Sequence, residues 1–202
     1  MVNTPFTRIN DKENKFTYVG RLKMSQEFEG SDLTKGLAGM LAVGKTNGNY
    51  QFDLYTFFED DKYNPNDLGF LYSNNEITNG LSLSYHQFNE NKRFVSSNIS
   101  TSINHQTLFT DQKFVNLELA ASARITLKNY TTISIWANIN PYEKNDFYEA
   151  RTGDLTHPLK RSKSIYGGGW ISTDYRKKVA IDIGGGGSLN PLYKGYRFHW
   201  RI

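Results

Sequence analysis

The stretch from Phe114 to Leu127 constrains this chain more than any other. Val115, Leu117, Leu119, Ala121, Ala123, Ile125 and Leu127 are apolar, and Asn116, Glu118, Ser122, Arg124 and Thr126 between them are polar. Alternation with period two means an extended strand with one apolar and one polar face, because a helix would scatter the same residues around its axis. Its length matters as much as its pattern. Strands of soluble domains peak at about 5–6 residues, whereas a strand crossing a bilayer needs about 9–11 with tilt. This run exceeds both.

The pattern recurs along the chain. Leu81, Leu83 and Tyr85 alternate with Ser82, Ser84 and His86; Val95, Ile99 and Ile103 oppose Ser96, Asn98, Ser100, Ser102 and Asn104. Ile133, Ile135, Ala137 and Ile139 oppose Thr132, Ser134, Trp136 and Asn138. Val179, Ile181 and Ile183 alternate with Lys178, Ala180 and Asp182, and Tyr196, Phe198 and Trp200 with Arg197, His199 and Arg201. Turn residues separate these runs. Asn47-Gly48 is the preferred dipeptide of a type I′ hairpin, and Asn74-Asn75 and Lys128-Asn129 tolerate the left-handed region. Longer polar connections fall at 59–67, 140–145 and 153–163. Short turns alternating with long connections suit an up-and-down meander with tight turns at one rim.

Leu33, Leu37, Met40 and Leu41 also fit helical spacing, but Gly36, Gly39 and Gly44 would each cost up to about 1 kcal/mol in a helix. The strand reading is preferred there. The fold class is therefore all-β: an antiparallel up-and-down meander of long strands, part of, or an incomplete, transmembrane outer-membrane β-barrel. Residues 1–202 form a single partial barrel domain, with 1–15 a polar lead-in and 16–202 supplying about ten or eleven strands.

Composition removes several function classes. The chain has no Cys, which excludes disulfides, thiolate metal sites and cysteine nucleophiles together. Its 24 Lys+Arg against 20 Asp+Glu give a charge of +4, too small and too dispersed to imply nucleic acid. Aromatics at 14% argue against disorder. No apolar run approaches the 18 or so residues of a transmembrane helix, and the first residues lack the apolar core of a signal peptide.

Three separated stretches carry a resemblance. They are Asn66-Asp67-Leu68-Gly69-Phe70-Leu71 with Asn74-Asn75-Glu76, then Tyr148-Glu149-Ala150-Arg151, then Gly168-Gly169-Trp170-Ile171-Ser172-Thr173-Asp174-Tyr175-Arg176-Lys177. In this order they resemble the C-terminal barrel region of a Bacteroidota outer-membrane family, domain-of-unknown-function family 5916, whose members are described as carbohydrate-binding-family-9-like after a separate N-terminal domain. The resemblance runs from about Asn47 onward. It implies an internal piece of a larger barrel, or a truncated reading frame, located in the outer membrane. It supplies no reaction.

Several constellations invite chemistry. Gly39-Met40-Leu41-Ala42-Val43-Gly44-Lys45-Thr46 matches the phosphate-loop pattern letter for letter. A real phosphate loop leads directly into a helix, whereas Thr46 is followed by a turn and a period-two run. Gly39, Gly44, Lys45 and Thr46 are thus read as a chance match, with no nucleotide site. Asp61, Asn64, Asn66 and Asp67, with Asp60 beside them, gather hard oxygen ligands of the kind calcium accepts, without EF-hand spacing. They are weak calcium candidates, and a solvated loop explains them as well. Gly167–Gly169 and Gly184–Gly187 precede no helix and read as close backbone approach. The four histidines show no metal-ligand spacing, although a barrel-borne hydrolase could draw on His86 and His105 beside Ser and Asn.

The polar-face residues Ser84, His86, Glu118, Arg124, Lys178, Asp182, Arg197, His199 and Arg201 are candidates to line a lumen. Glu149 and Arg151 read as rim or lumen residues. Tyr166, Trp170, Tyr175, Tyr193, Tyr196 and Trp200 suit an interfacial girdle. Lys160, Arg161 and Lys163, and Arg176, Lys177 and Lys178, could meet anionic headgroups. The sequence points to a non-catalytic outer-membrane barrel segment, serving as a pore, uptake component or surface scaffold. No cofactor is expected, and its partners would be outer-membrane lipid or lipopolysaccharide and the remainder of the parent barrel, with a saccharide as a further candidate. A soluble all-β carbohydrate-binding protein is the alternative, and a hydrolase the third reading.

Overall fold

The computed structural model describes residues 2–3, 5–66, 73–149, 155–191 and 194–201, with only the backbone described for 2, 3, 194 and 197–201. The strands are β1 Val2–Asn3, β2 Phe6–Asn10, β3 Phe16–Glu29, β4 Asp32–Lys45, β5 Tyr50–Glu59, β6 Glu76–Gln87 and β7 Phe94–Leu108. They continue as β8 Phe114–Leu127, β9 Thr132–Asn140, β10 Lys144–Asp146, β11 Leu159–Arg161, β12 Ser164–Ser172, β13 Asp182–Leu189 and β14 Lys194–Arg201. One antiparallel sheet runs through 11 of them in the order β1-β3-β4-β5-β6-β7-β8-β9-β12-β13-β14; β2 also pairs with β3, and β10 and β11 form a separate ribbon. From β3 onward each strand of the sheet lies beside its predecessor, so the meander is as the turn spacing implies. Among the described residues β14 pairs only with β13, and the sheet does not close on itself.

Three expectations need correction. The lead-in is not outside the sheet, because Phe6–Asn10 pair with Thr17–Arg21 and Val2–Asn3 with Met24–Ser25. Lys178, Val179 and Ile181 are not in a strand; they lie in the connection before β13. Val95 sits at a register shift between Phe94 and Ser96, which breaks the alternation of that window. The stretch 32–45, open to a helical reading, is strand throughout. Its glycines explain this: they depress helix formation, and on a strand they leave room for neighbours.

The register aligns the alternation of separate strands into continuous rows. Tyr18 pairs with Val43, Val43 with Leu54, Leu54 with Leu81 and Leu81 with Ile103. The row continues through Leu119, Ile139 and Ile165 to Leu189. It crosses nine strands without a polar residue. A one-residue slip anywhere would turn a strand's apolar residues to the other face. Tyr18, Leu54, Ile103, Ile165 and Leu189 are nevertheless 40–52% exposed. With these and other large apolar residues of the same face exposed, no second layer covers it among the described residues. Among the described residues the buried hydrophobic ones are few: Ala38, Tyr63, Leu108, Val115 and Phe147.

Connections do not alternate in length as the turn spacing leads one to expect. Residues 46–49, 88–93, 128–131 and 173–181 form one rim, the short rim; at the other the connections 30–31 and 109–113 are as short, and the two long ones start after β5 and after β9. Gly48, at φ 84°, makes the tight turn after β4, a conformation that a Cβ would strain.

Candidate functional site

The polar face carries two constructed regions, one at each rim. At the long-loop rim residues 60–66, the start of the β5–β6 connection, fold back over the polar face of β3 and β4. Asp60 seats it: its backbone N–H donates to Leu37 O and its carboxylate accepts from Leu37 N–H, both at 2.8 Å. The chain then crosses Gly36, where an added Cβ would sit 2.3 Å from Lys62 and Tyr63 backbone atoms. Asn64 N–H donates to buried Ser25 Oγ at 3.0 Å, and its amide donates to Glu27 at 3.2 Å. Tyr63 is buried by this crossing. Beside it, Leu108, Val115 and Phe147 pack with Tyr148 and Leu155. The Tyr148 hydroxyl donates to Asn74 O. Burial, together with the nearby carboxylates of Glu76, Glu59 and Asp61, pushes that phenol up to about 12. The result is a folded cap over one end of the polar face.

At the short rim two rows of the sheet define an open cavity of about 820 Å³. One row is Arg124, Ser134, Trp170 and Gly184; the next is Thr126, Thr132, Ser172 and Asp182. The Arg124 guanidinium lies 5.3 Å from the Trp170 ring centroid, reaching over β9 from β8 to β12. Arg176 lies 3.3 Å from the Tyr130 ring centroid and grips Asp174 through Nε (2.8 Å) and Nη2 (2.9 Å). Asp182 accepts from Ser172 Oγ at 2.5 Å and from the Tyr175 hydroxyl. Thr126 and Thr132 hydroxyls meet at 3.1 Å.

The Arg176 side chain and backbone N–H hold the Asp174 carboxyl down at about 2. A depressed carboxyl stabilises the fold at any pH above its unfolded value near 3.9, and that contribution is lost as pH falls through about 2. Asp174→Asn should therefore loosen the 173–181 connection at neutral pH, with the difference from the parent shrinking between about pH 4 and pH 2. Hydrogen exchange of the Arg176 and Lys177 amides, read across that range, checks it.

Compared with known families, the chain matches along residues 2–191 a model described as domain of unknown function (DUF5916). The chain belongs to this family. The match takes in β1–β4, which lie before the motifs that carried the resemblance. No curated protein and no solved structure matches.

Within this DUF5916 chain the predicted lumen residues separate. Ser84 and His86 share the polar face of β6, with His86 Nε2 3.0 Å from Ser84 Oγ and the imidazole stacked on Phe88. Two residues apart on one strand, they are ordinary same-face neighbours. Glu118 and Arg124 lie on one face of β8 but six residues apart, about 20 Å, so they do not pair with each other. Lys178 is exposed in the β12–β13 connection and does not line the polar face. The side chains of Arg197, His199 and Arg201 lie outside the described residues; the register sets Arg201 opposite Asp182 and His199 opposite Gly184. Arg151 and Tyr193 also lie outside them, as does Asp67 among the calcium candidates.

The other oxygen ligands do not converge on a cation. Asn64 Oδ1 accepts from Asn66 N–H and its amide goes to Glu27, while Asp61 O accepts from Asn74. Among the described residues no group of three His, Asp or Glu could hold a metal. Gly39–Lys45 lie within β4, paired to β3 and β5, so their backbone donors serve the sheet and do not wrap a phosphate.

Tyr166 and Trp170, expected in a girdle, fall on the polar face, in register with Asn138 and Ser134. Of the basic clusters, Arg161 pairs with Asp146 at 2.9 Å and Lys160 with Glu143 at 3.7 Å. The sequence reading passed over Tyr130, Asp174 and Arg176 as cavity residues. The Asp-x-Arg spacing of 174 and 176 was the available signal, because a turn lets such a pair close on itself.

Proposed function

We propose that this DUF5916 chain is the wall of an outer-membrane β-barrel whose apolar face meets lipid and whose polar face lines an aqueous lumen, acting as a pore or uptake component without catalysis. One observation carries this: the rows of large apolar residues that cross the sheet are exposed, while most hydrogen bonds between side chains of the sheet lie on the opposite face, with Thr56–Asn79 on the apolar side. A soluble sheet buries its apolar face against another layer. A lipid-facing sheet has no such need, because lipid tails supply the apolar contact. The strand lengths, 14 residues in β3, β4 and β8, suffice to cross a bilayer with tilt.

The polar face fits contact with water. Tyr55 reaches over Gly80 to donate to Asn104 Oδ1 at 2.6 Å, and Ser100 and Ser122 hydroxyls meet at 2.8 Å. The cap at the long-loop rim narrows the passage. The sheet edges that are unpaired among the described residues must be paired for the wall to stand in a membrane, since an open edge there leaves backbone groups unsatisfied.

Folding tests the reading. Diluted from urea into detergent micelles or phosphatidylcholine vesicles, the chain should gain strand structure and run on a gel at a position that shifts on boiling. In detergent-free buffer it should aggregate. A monodisperse, cooperatively melting product in buffer alone would sink the proposal in favour of a soluble sheet.

A further inference from the structure

We infer that the short-rim cavity binds an acidic saccharide, a ligand of the hexuronate class. The argument begins with two arginines in the same cavity that are used differently. Arg176 spends its guanidinium on Asp174 through two hydrogen bonds. Arg124 is stacked on Trp170 and has no carboxylate within ion-pair distance among the described residues. Its donors remain available in a fork whose geometry matches a carboxylate. The indole holds the guanidinium in place, so less rotamer freedom is lost when an anion arrives.

The second row of the cavity gives the remainder of the ligand its chemistry. Thr126, Thr132, Ser172 and Asp182 occupy adjacent strands in register, so their side chains repeat at about 4.8 Å. Ser172 and Tyr175 are committed to Asp182, but the Thr126–Thr132 pair uses only one of its two hydroxyl protons, so it keeps one to give and lone pairs to take hydrogen bonds, as a polyol requires. The row starts two residues along β8 from Arg124, about 7 Å away. A hexuronate sets its carboxylate on one side of a ring and its hydroxyls on the other, with an apolar C–H face between them for an aromatic neighbour. An inorganic anion would use only the arginine. A neutral sugar would use the threonine pair and leave the guanidinium unmatched. At about 820 Å³ the cavity also accommodates more than one sugar ring.

The site deepens the lumen proposal by naming a solute class, and it rests on that proposal for its route of access alone. The test is calorimetric titration of the whole chain in the medium where it folds, micelles or buffer, with folding verified first by the boiling-dependent gel shift or by a cooperative melt. Galacturonate, galactose and acetate are the probes. Galacturonate should bind about tenfold or more tightly than either of the others, as a charge-assisted bidentate contact implies. Arg124→Gln should reduce galacturonate binding to the galactose level, with partial recovery in Arg124→Lys. Thr132→Val should weaken galacturonate and leave acetate unchanged.

Folding in buffer alone would count against the barrel and still leave the cavity to be titrated. Folded protein that binds galactose or acetate as well as galacturonate, or that keeps its galacturonate affinity in Arg124→Gln, would overturn the inference. So would folded protein that binds none of the three.

Discussion

Leu54→Arg should cost the folded chain about 2–4 kcal/mol in a phospholipid bilayer, the range for a lipid-facing arginine near the midplane of a barrel strand. Leu54 lies mid-strand in the apolar row between Val43 and Leu81 and is 52% exposed. That exposure makes the substitution decisive. In water, a half-exposed leucine on an uncovered face can become arginine within about 0.5 kcal/mol; in lipid, the same change places a charge in hydrocarbon. Ser122→Arg is the control. It sits on the polar face of β8, exposed, with one hydroxyl contact to Ser100, and should cost less than about 1 kcal/mol. Reversible urea titration of both variants in vesicles reads the difference. Equal small costs would mean that Leu54 does not face lipid.

Gly36→Ala should release the Asp60–Asn66 segment from the polar face. The new Cβ would lie 2.3 Å from Lys62 carbonyl atoms and Tyr63 Cα, and the neighbours on one side are backbone, which cannot rotate away. Overpacking of this kind typically costs about 1–3 kcal/mol. Here the loss falls on the cap: Tyr63 loses its burial and Asn64 its bond to Ser25. Trypsin should then cut after Lys62 many times faster than in the parent, while the sheet remains intact. Gly20→Ala, whose Cβ would meet only Leu41 Cδ2 at 3.9 Å, should leave cleavage unchanged. Equal protection of Lys62 in Gly36→Ala would show that the loop is not seated on Gly36.

The sheet was largely legible in the sequence because period two is a local signal. The alternation in 114–127, 81–86 and 132–139 specifies which residues share a face, and the meander follows from the short turns between them. Legibility failed where local pattern and register part company. Lys178–Ile181 alternate as a strand does, yet Thr173 and Ile181 bond across the turn through N–H to O at 3.0 Å, and pairing to β12 begins only at Asp182. Phe6–Asn10 show no clear alternation and still pair, because β3 presents an open edge for them.

The cavity was half visible. Arg124 and Asp182 are legible by face, whereas the side of Trp170 is not, because Gly167, Gly168 and Gly169 leave β12 without an alternation to follow. The cap was invisible for a different reason. Its contacts join Ser25, Gly36, Tyr63 and Tyr148, residues far apart in the chain, and no periodicity encodes such a meeting.

The most direct test of the two-faced wall uses the absence of cysteine from the chain. Single cysteines placed at Leu81, Ser82, Leu83 and Ser84, with the protein folded into phosphatidylcholine vesicles, would be exposed to a water-soluble maleimide. Ser82→Cys and Ser84→Cys should label, and Leu81→Cys and Leu83→Cys should stay protected, with a period of two along β6. Labelling of Leu83→Cys as fast as that of Ser82→Cys would place the apolar face in water and contradict the barrel wall.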